Sequence, residues 1–262
     1  MLKINEENLV NSIKTGERVD GRSFEEYRDI EIIPNYVHET ADGSTLVKIG
    51  DTRVLVGISI DTGEPYPDTP DKGAIISNAE LTEMASPEYE SGPPGEDAIE
   101  LARVVDRGIR ESGMLDLEDL VIEEGEKCWM VFVDIHVLDY DGNLIEAASI
   151  GAVASLLQSK VPKLNDDGTV DREEYEEDLP TEEFPLTVTS SSFNGEILFD
   201  ATADEEEVRD ARLSVTFTED DNIVAMQKGG RQSLRGEQLV EMLEKSREKS
   251  QFLREKIVEA LE

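Results

Sequence analysis

Ile99-Glu100-Leu101-Ala102-Arg103-Val104-Val105-Asp106-Arg107-Gly108-Ile109-Arg110-Glu111-Ser112 is the stretch on which the fold turns. At about 100° per residue, Leu101, Val104, Val105 and Ile109 gather on one side, which predicts an amphipathic helix lying on a core. Arg103, Arg107 and Arg110 fall within about 60° of arc on the opposite side. Guanidinium forks bind phosphate oxygens in bidentate fashion, so this face is a candidate phosphate-binding surface. The same spacing also permits ordinary helix ion pairs: Glu100 with Arg103, Asp106 with Arg110, and Arg107 with Glu111. Both readings stay open on this segment alone.

The arginine face stands against an acidic background. The chain of 262 residues carries 61 Asp and Glu against 25 Lys and Arg, a formal net charge of −36. Its hydrophobic fraction of 38% comes in periodic runs, which indicates a folded core and not an acidic disordered chain. The acids are spread along the chain, with local density at Glu173 to Glu183 and Asp204 to Glu207. Such a dispersed excess suits a cytosol of molar salt, where screening is nearly complete, and a halophilic source is expected. The global field repels nucleic acid at low salt, so any anionic ligand must be caught by a local basic patch.

Cys128 is the single cysteine, which excludes an intrachain disulfide and a cysteine-based zinc site; it is expected to be a small buried hydrophobe. No apolar window has the length of a membrane span, and the amino-terminal residues carry no secretory pattern, so a soluble, cytoplasmic protein without membrane contact is expected.

Outward from the arginine helix, strand and helix signals alternate. Glu6 to Thr15 predicts a short helix, and Arg28 to Val37 a strand. Ala41 to Ser44 predicts a turn, Thr45 to Ile49 and Arg53 to Ile60 a strand pair joined at Gly50-Asp51. Gly63 to Gly73 and Met84 to Gly95 predict loops. Cys128 to Leu138 is a continuous apolar run, a candidate central strand in which Trp129 and Phe132 are expected to be core and His136 a core or edge residue. Glu146 to Lys160 is a small-residue helix. Residues 162–185 predict an acidic surface excursion. Leu186 to Phe193 and Glu196 to Asp200 flank Asn194-Gly195, the clearest hairpin in the chain. Ala211 to Thr218 and Asn222 to Gln227 form another. Lys228 to Arg231 is a glycine-rich link without the Gly-Lys-Ser/Thr ending of a phosphate loop. Gly236 to Glu262 predicts a long helix. The pattern indicates one α/β domain over 1–262, built of two related βα halves at about 24–161 and 186–262.

The order of these pieces resembles the RNase PH family over nearly the whole chain. The matching stretches are Asp20-Gly21-Arg22, Ala41-Asp42-Gly43-Ser44, Gly50 to Leu55, Glu100 to Arg110, Val137 to Gly142 and Asp200 to Glu206. Within that family the sequence Glu100 to Ser112 is similar to the non-catalytic RNase PH-like subunit of the archaeal exosome. The resemblance implies an RNase PH-like fold with mixed sheets. It further implies an alternating hexamer of three heterodimers with a catalytic RNase PH-like partner, and S1- and KH-type RNA-binding cap subunits. Arg103 and Arg107 match positions that contact phosphates of single-stranded RNA, and Arg110 continues their face.

The resemblance also implies what is missing. Active members hold phosphate with a Gly-Thr-Arg triplet after the Asp-Gly turn; Asn143, Leu144 and Ile145 stand there in this chain. A branched alkyl group neither neutralises charge nor donates a hydrogen bond. A further family arginine is matched by Asp97, which repels phosphate. Of two family aspartates six residues apart, Asp200 matches the first, and Glu206 stands at the second with a longer side chain. Asp200 and the acids after it also fit a helix N-terminus with favourable dipole contacts. No catalytic residue, metal site or cofactor is therefore expected, and His38 and His136 have no metal-ligand spacing. The leading function is a structural, RNA-positioning ring subunit. Its rivals are an autonomous phosphate-dependent 3′-to-5′ exoribonuclease and a halophilic scaffold protein without RNA contact.

Overall fold

The computed structural model describes residues 6–90, 92–165 and 167–262. In chain order, α1 (Glu6–Lys14) precedes β1 (Ile30–Pro34), β2 (Gly43–Ile49), β3 (Thr52–Gly63) and β4 (Ala74–Leu81). Then come α2 (Glu96–Ser112), β5 (Val121–Glu123), β6 (Lys127–Asp139), α3 (Leu144–Leu157), β7 (Lys160–Leu164) and β8 (Val170–Asp178). β9 (Leu186–Phe193), β10 (Glu196–Phe199), α4 (Ala203–Val208), β11 (Ala211–Phe217), β12 (Ile223–Gly229) and α5 (Gly236–Leu261) follow. The fold is α/β with mixed sheets and a long C-terminal helix.

The first sheet has the order β1-β2-β3-β6-β4, with β5 added to β6. Its pairings are antiparallel except that β4 runs parallel to β6. The second sheet, β10-β9-β11-β12, is antiparallel throughout. α3 lies against β2 and β3 on one side and β9 on the other. It is buried from Ile145 to Leu156, as a helix apolar on every face must be. Small residues permit the close approach: a Cβ on Gly151 would stand 2.7 Å from Val56 Cγ2 of β3. On β3, Val54, Val56, Ile58 and Ile60 are fully buried beneath it, each worth about 1.5–3 kcal/mol of burial.

α2 covers the second sheet beside α3. The face it meets carries hydroxyls and few methyls. Thr187 and Thr216 share a hydrogen bond of 2.8 Å, Thr189 and Ser214 one of 2.9 Å. Paired this way, each of the four buried hydroxyls has a hydrogen-bond partner. Gly108 of α2 sits directly over Thr216, where a Cβ would approach Oγ1 to 3.1 Å.

The structure adds to or corrects the sequence reading at four places. β4 lies in a segment, 74–83, to which the sequence reading assigns no element. Asp42 alone bends at the expected turn, and Gly43 and Ser44 already belong to β2. β6 alternates buried and half-buried residues, so Trp129 joins the core while Phe132 and His136 point to the other, more open face. His136 pairs there with Glu80 at 3.1 Å. The excursion at 162–185 contains most of a β-hairpin, β7 with β8, whose outer strand is exposed and acidic.

Candidate nucleic-acid interface and the adjoining cavity

α2 begins after Gly95 and closes at Gly113, whose left-handed backbone (φ 74°) lets its N–H reach the Arg110 carbonyl. Of the three ion pairs that the spacing allows, one forms. Arg110 holds Asp106 at 2.9 Å and also donates to the Ile75 carbonyl at 2.9 Å. Glu100 turns away from Arg103 and takes Arg212 of β11 at 2.6 Å and Gln227 of β12 at 3.3 Å. Arg103 and Arg107 are exposed and have no ion pair or hydrogen bond with any described residue. With so many acids available, two unengaged guanidinium groups on one turn-spaced face remain open to a phosphate backbone.

Next to this helix, residues far apart in sequence meet. Asp97, Asn143, Leu144, Ile145 and Glu206 line one cavity of about 230 Å³. α2 supplies Asp97, the turn into α3 supplies Asn143 to Ile145, and α4 supplies Glu206. Asp97, Leu144 and Ile145 stand where the resemblance places phosphate-binding groups, while Arg209 and Arg212 line the cavity elsewhere. Asp97 has no ion partner among the described residues. Glu206 Oε2 accepts a hydrogen bond from Tyr140 Oη at 2.8 Å, and Oε1 accepts from the Asn143 backbone N–H at 3.1 Å. Arg209 Nη1 stands 3.0 Å from the same Oε1. Burial, reinforced by the Glu206 carboxylate, pushes the Tyr140 phenol far above its ordinary range, so it stays a donor.

Asp200 is elsewhere. It is fully buried, at φ 48°, and belongs to an arginine cluster. Arg28 Nη2 donates to its Oδ1 at 2.6 Å, and Arg22 Nη1 to its Oδ2 at 2.8 Å. Burial alone raises its carboxyl, but the bonds and charge of Arg28 outweigh that and hold it below the usual carboxylate range. Its reading as part of a helix N-terminus is corrected: α4 starts at Ala203 and is capped by Thr202 in a capping box with Glu205. Arg18 in turn holds Glu205 at 2.6 Å, and Arg28 holds Asp141 at 2.9 Å. These bridges tie the amino-terminal link to both halves. Sequence reasoning quotes Arg22 but misses the cluster, because its partner lies 178 residues away. It also misses Arg209; a lone cation immediately after an acidic helix is the signal that marks it. Among the described residues no group of His, Cys, Asp and Glu is arranged to hold a metal ion. No described helix is long and apolar enough to cross a membrane.

Fold and sequence together define the class. The 3′ exoribonuclease family matches with its domain 1 over residues 26–162 and its domain 2 over 183–249, and the chain belongs to this RNase PH family. Among its relatives is the exosome complex component Rrp42 of Archaeoglobus fulgidus, 49% identical over 261 residues, 99% of this chain and 98% of that protein. Rrp42 of Thermococcus kodakarensis is 47% identical over 264 residues, 100% of this chain and 97% of that one. A chain of the Archaeoglobus fulgidus exosome with RNA bound to the active site superimposes with a TM-score of 0.90 at 50% identity, covering 96% of each chain. A chain of an archaeal exosome core gives 0.85 at 46% identity, covering 96% of this chain and 95% of that one. Rice Rrp46 shares the fold at a TM-score of 0.71 and 18% identity, over 94% of this chain and 100% of that one.

Proposed function

We propose that this chain is a non-catalytic subunit of an archaeal exosome ring that positions single-stranded RNA for a catalytic RNase PH-like partner. The observation that carries the reading is the free state of Arg103 and Arg107 on an exposed helix of a strongly acidic protein. The exosome membership of the chain's relatives supports the assembly, and Asp97, Leu144 and Ile145 at the positions matched to phosphate-binding residues support the absence of phosphorolysis. Phosphate contacts hold a strand in register without reading its sequence. Arg110, held by Asp106 and the Ile75 carbonyl, is the lesser contributor of the three. The ring alternates this chain with its partner as three heterodimers, carries S1- and KH-type caps, works without a cofactor and resides in a high-salt cytoplasm.

The experiment is the Arg103→Glu/Arg107→Glu double variant in a reconstituted ring. Each lost phosphate contact should lower the salt slope of single-stranded RNA binding by about 0.7. The loss should be alike for RNAs of different sequence, and degradation should slow while sizing chromatography shows an intact ring. An assembled double variant that binds and degrades like wild type would make these arginines a solvated helix face. The isolated chain should release no nucleoside diphosphate from RNA and phosphate at molar salt; turnover by the chain alone would refute the non-catalytic reading.

A further inference from the structure

We infer that Glu206 is a built-in anion: its carboxylate occupies a small oxyanion site at the start of α3, and removing it opens that site to inorganic phosphate. The inference rests on the reading of this cavity as non-catalytic, but its test uses neither RNA nor a partner subunit, so the two can fail separately.

Three groups from two separate segments, the turn before α3 and the residue after α4, converge on this one carboxylate. They are the Asn143 N–H at 3.1 Å, the Tyr140 hydroxyl at 2.8 Å and the Arg209 guanidinium at 3.0 Å. A backbone N–H at a helix start, a phenol and a guanidinium make a donor set suited to a tetrahedral oxyanion as well as to a carboxylate. The helix end is open to this role. Asn143 gives α3 no side-chain cap, because its amide donates instead to Glu146 at 3.1 Å and to Asp200 at 3.0 Å. The first turn of α3, whose Leu144 and Ile145 line the cavity, is thus without a side-chain cap.

A carboxylate does not exhaust the donors. Arg209 Nη1 is buried and makes no aligned hydrogen bond despite its closeness to Oε1. A cavity of about 230 Å³ has room for a phosphate once the side chain is withdrawn, given the roughly 30 Å³ that a water occupies in the liquid. Three other carboxylates line the cavity: Asp97, Glu100 and Glu207. Glu100 is neutralised by Arg212 at 2.6 Å. With Glu206 in place, the remaining field repels a further anion. Without it, Arg209 and the α3 terminus are left uncompensated.

The test is titration of inorganic phosphate into the full-length chain by calorimetry, at ionic strength held constant with potassium chloride. Wild type should show no saturable binding. Glu206→Ala should bind with a dissociation constant on the order of 1–10 mM, a modest affinity for so small a ligand. The Glu206→Ala/Arg209→Ala double variant should lose that binding. Glu206→Gln, which fills the same space without charge, should bind at least tenfold more weakly than Glu206→Ala. If Glu206→Ala does not fold in chloride, phosphate should restore its fold and chloride of equal ionic strength should not. Absence of binding or of rescue in Glu206→Ala, equal binding by Glu206→Gln, or wild-type binding as tight as the variant's would each overturn the inference.

Discussion

Glu146 has no solvent exposure and sits among Tyr27, Asn143 and the Thr189 N–H. Burial, with a contribution from the Asp200 charge, pushes its carboxyl up to about 8, against 4.5 for an ordinary glutamate. Between those values folding takes up a proton. The group's contribution to stability therefore falls as pH rises through that window and is at its least favourable above it. Asp200 runs the other way: its lowered carboxyl contributes stability above the ordinary carboxylate range, lost as pH falls through it. Glu146→Gln should flatten the pH dependence of the melting midpoint between 4.5 and about 8 and raise the midpoint above that window, each kcal/mol being worth about 2–4 °C in a chain of this size. Thermal denaturation at fixed molar salt checks this, and an unaltered pH profile would remove the buried acid from the account. Asp200→Asn should be far more harmful, because it leaves Arg22 and Arg28 without their shared counter-charge. Breaking such a buried pair costs about 3–5 kcal/mol, readable in urea unfolding. The same arithmetic explains why these arginines are structural while Arg103 and Arg107 are not: the former have carboxylate partners, the latter only solvent.

At the scale of elements, α3 and the turn before it fix the cavity. Gly142 has φ 84°, and a Cβ there would stand 2.2 Å from the Ala201 carbonyl and 2.8 Å from the Ala203 N. The obstruction is backbone, so it cannot rotate away. Gly142→Ala should cost about 2–4 kcal/mol from backbone strain and overpacking together, measured as a lower denaturation midpoint with unchanged slope. Elements whose signals are local were legible in the sequence. α2 follows from its apolar period, α5 from its length, and the β9–β10 hairpin from Asn194-Gly195, which take φ 50° and 102°. β4 was not legible: Asn78 and Glu80 interrupt its apolar residues, and it is a strand because β6 pairs with it from 50 or more residues away. β8, Val-Asp-Arg-Glu-Glu-Tyr-Glu-Glu-Asp, has the composition of a solvated loop, and only pairing with β7 extends it. The candidate site divides the same way. The arginine face is periodic and local, so spacing reveals it. The meeting of Asp97, Asn143 and Glu206 depends on how the halves dock, which no local pattern encodes.

At the scale of the whole molecule, a large acidic excess lies at the surface. Many cations are turned inward: Arg18, Arg212 and Arg254 are each at least nine-tenths buried, and Arg22 and Arg28 serve Asp200. Arg254 spends itself on the carbonyls of Phe184, Phe217 and Thr218, locking α5 onto the second sheet. Asp42, Glu146, Asp200 and Glu205 are buried too, but β8 keeps its acids at the surface, with Glu173, Glu176 and Glu177 all exposed. The outward field is strongly negative, as the formal net charge of −36 requires. At low ionic strength that field opposes the compact state, and about 1 M salt shortens the screening length to roughly 3 Å. Salt also weakens the few exposed ion pairs, but those contribute little each, so relief of repulsion dominates. The isolated chain should therefore melt at a lower temperature in dilute buffer than in molar potassium chloride. Neutralising part of the β8 surface with Glu173→Gln/Glu176→Gln/Glu177→Gln should raise the dilute-buffer midpoint and narrow the difference between the two conditions. These carboxylates touch neither the arginine face nor the cavity, so the triple variant should leave RNA binding by the ring unchanged. Equal midpoints for wild type across that salt range would count against a high-salt origin, and a triple variant with the wild-type salt response would place the repulsion elsewhere on the surface.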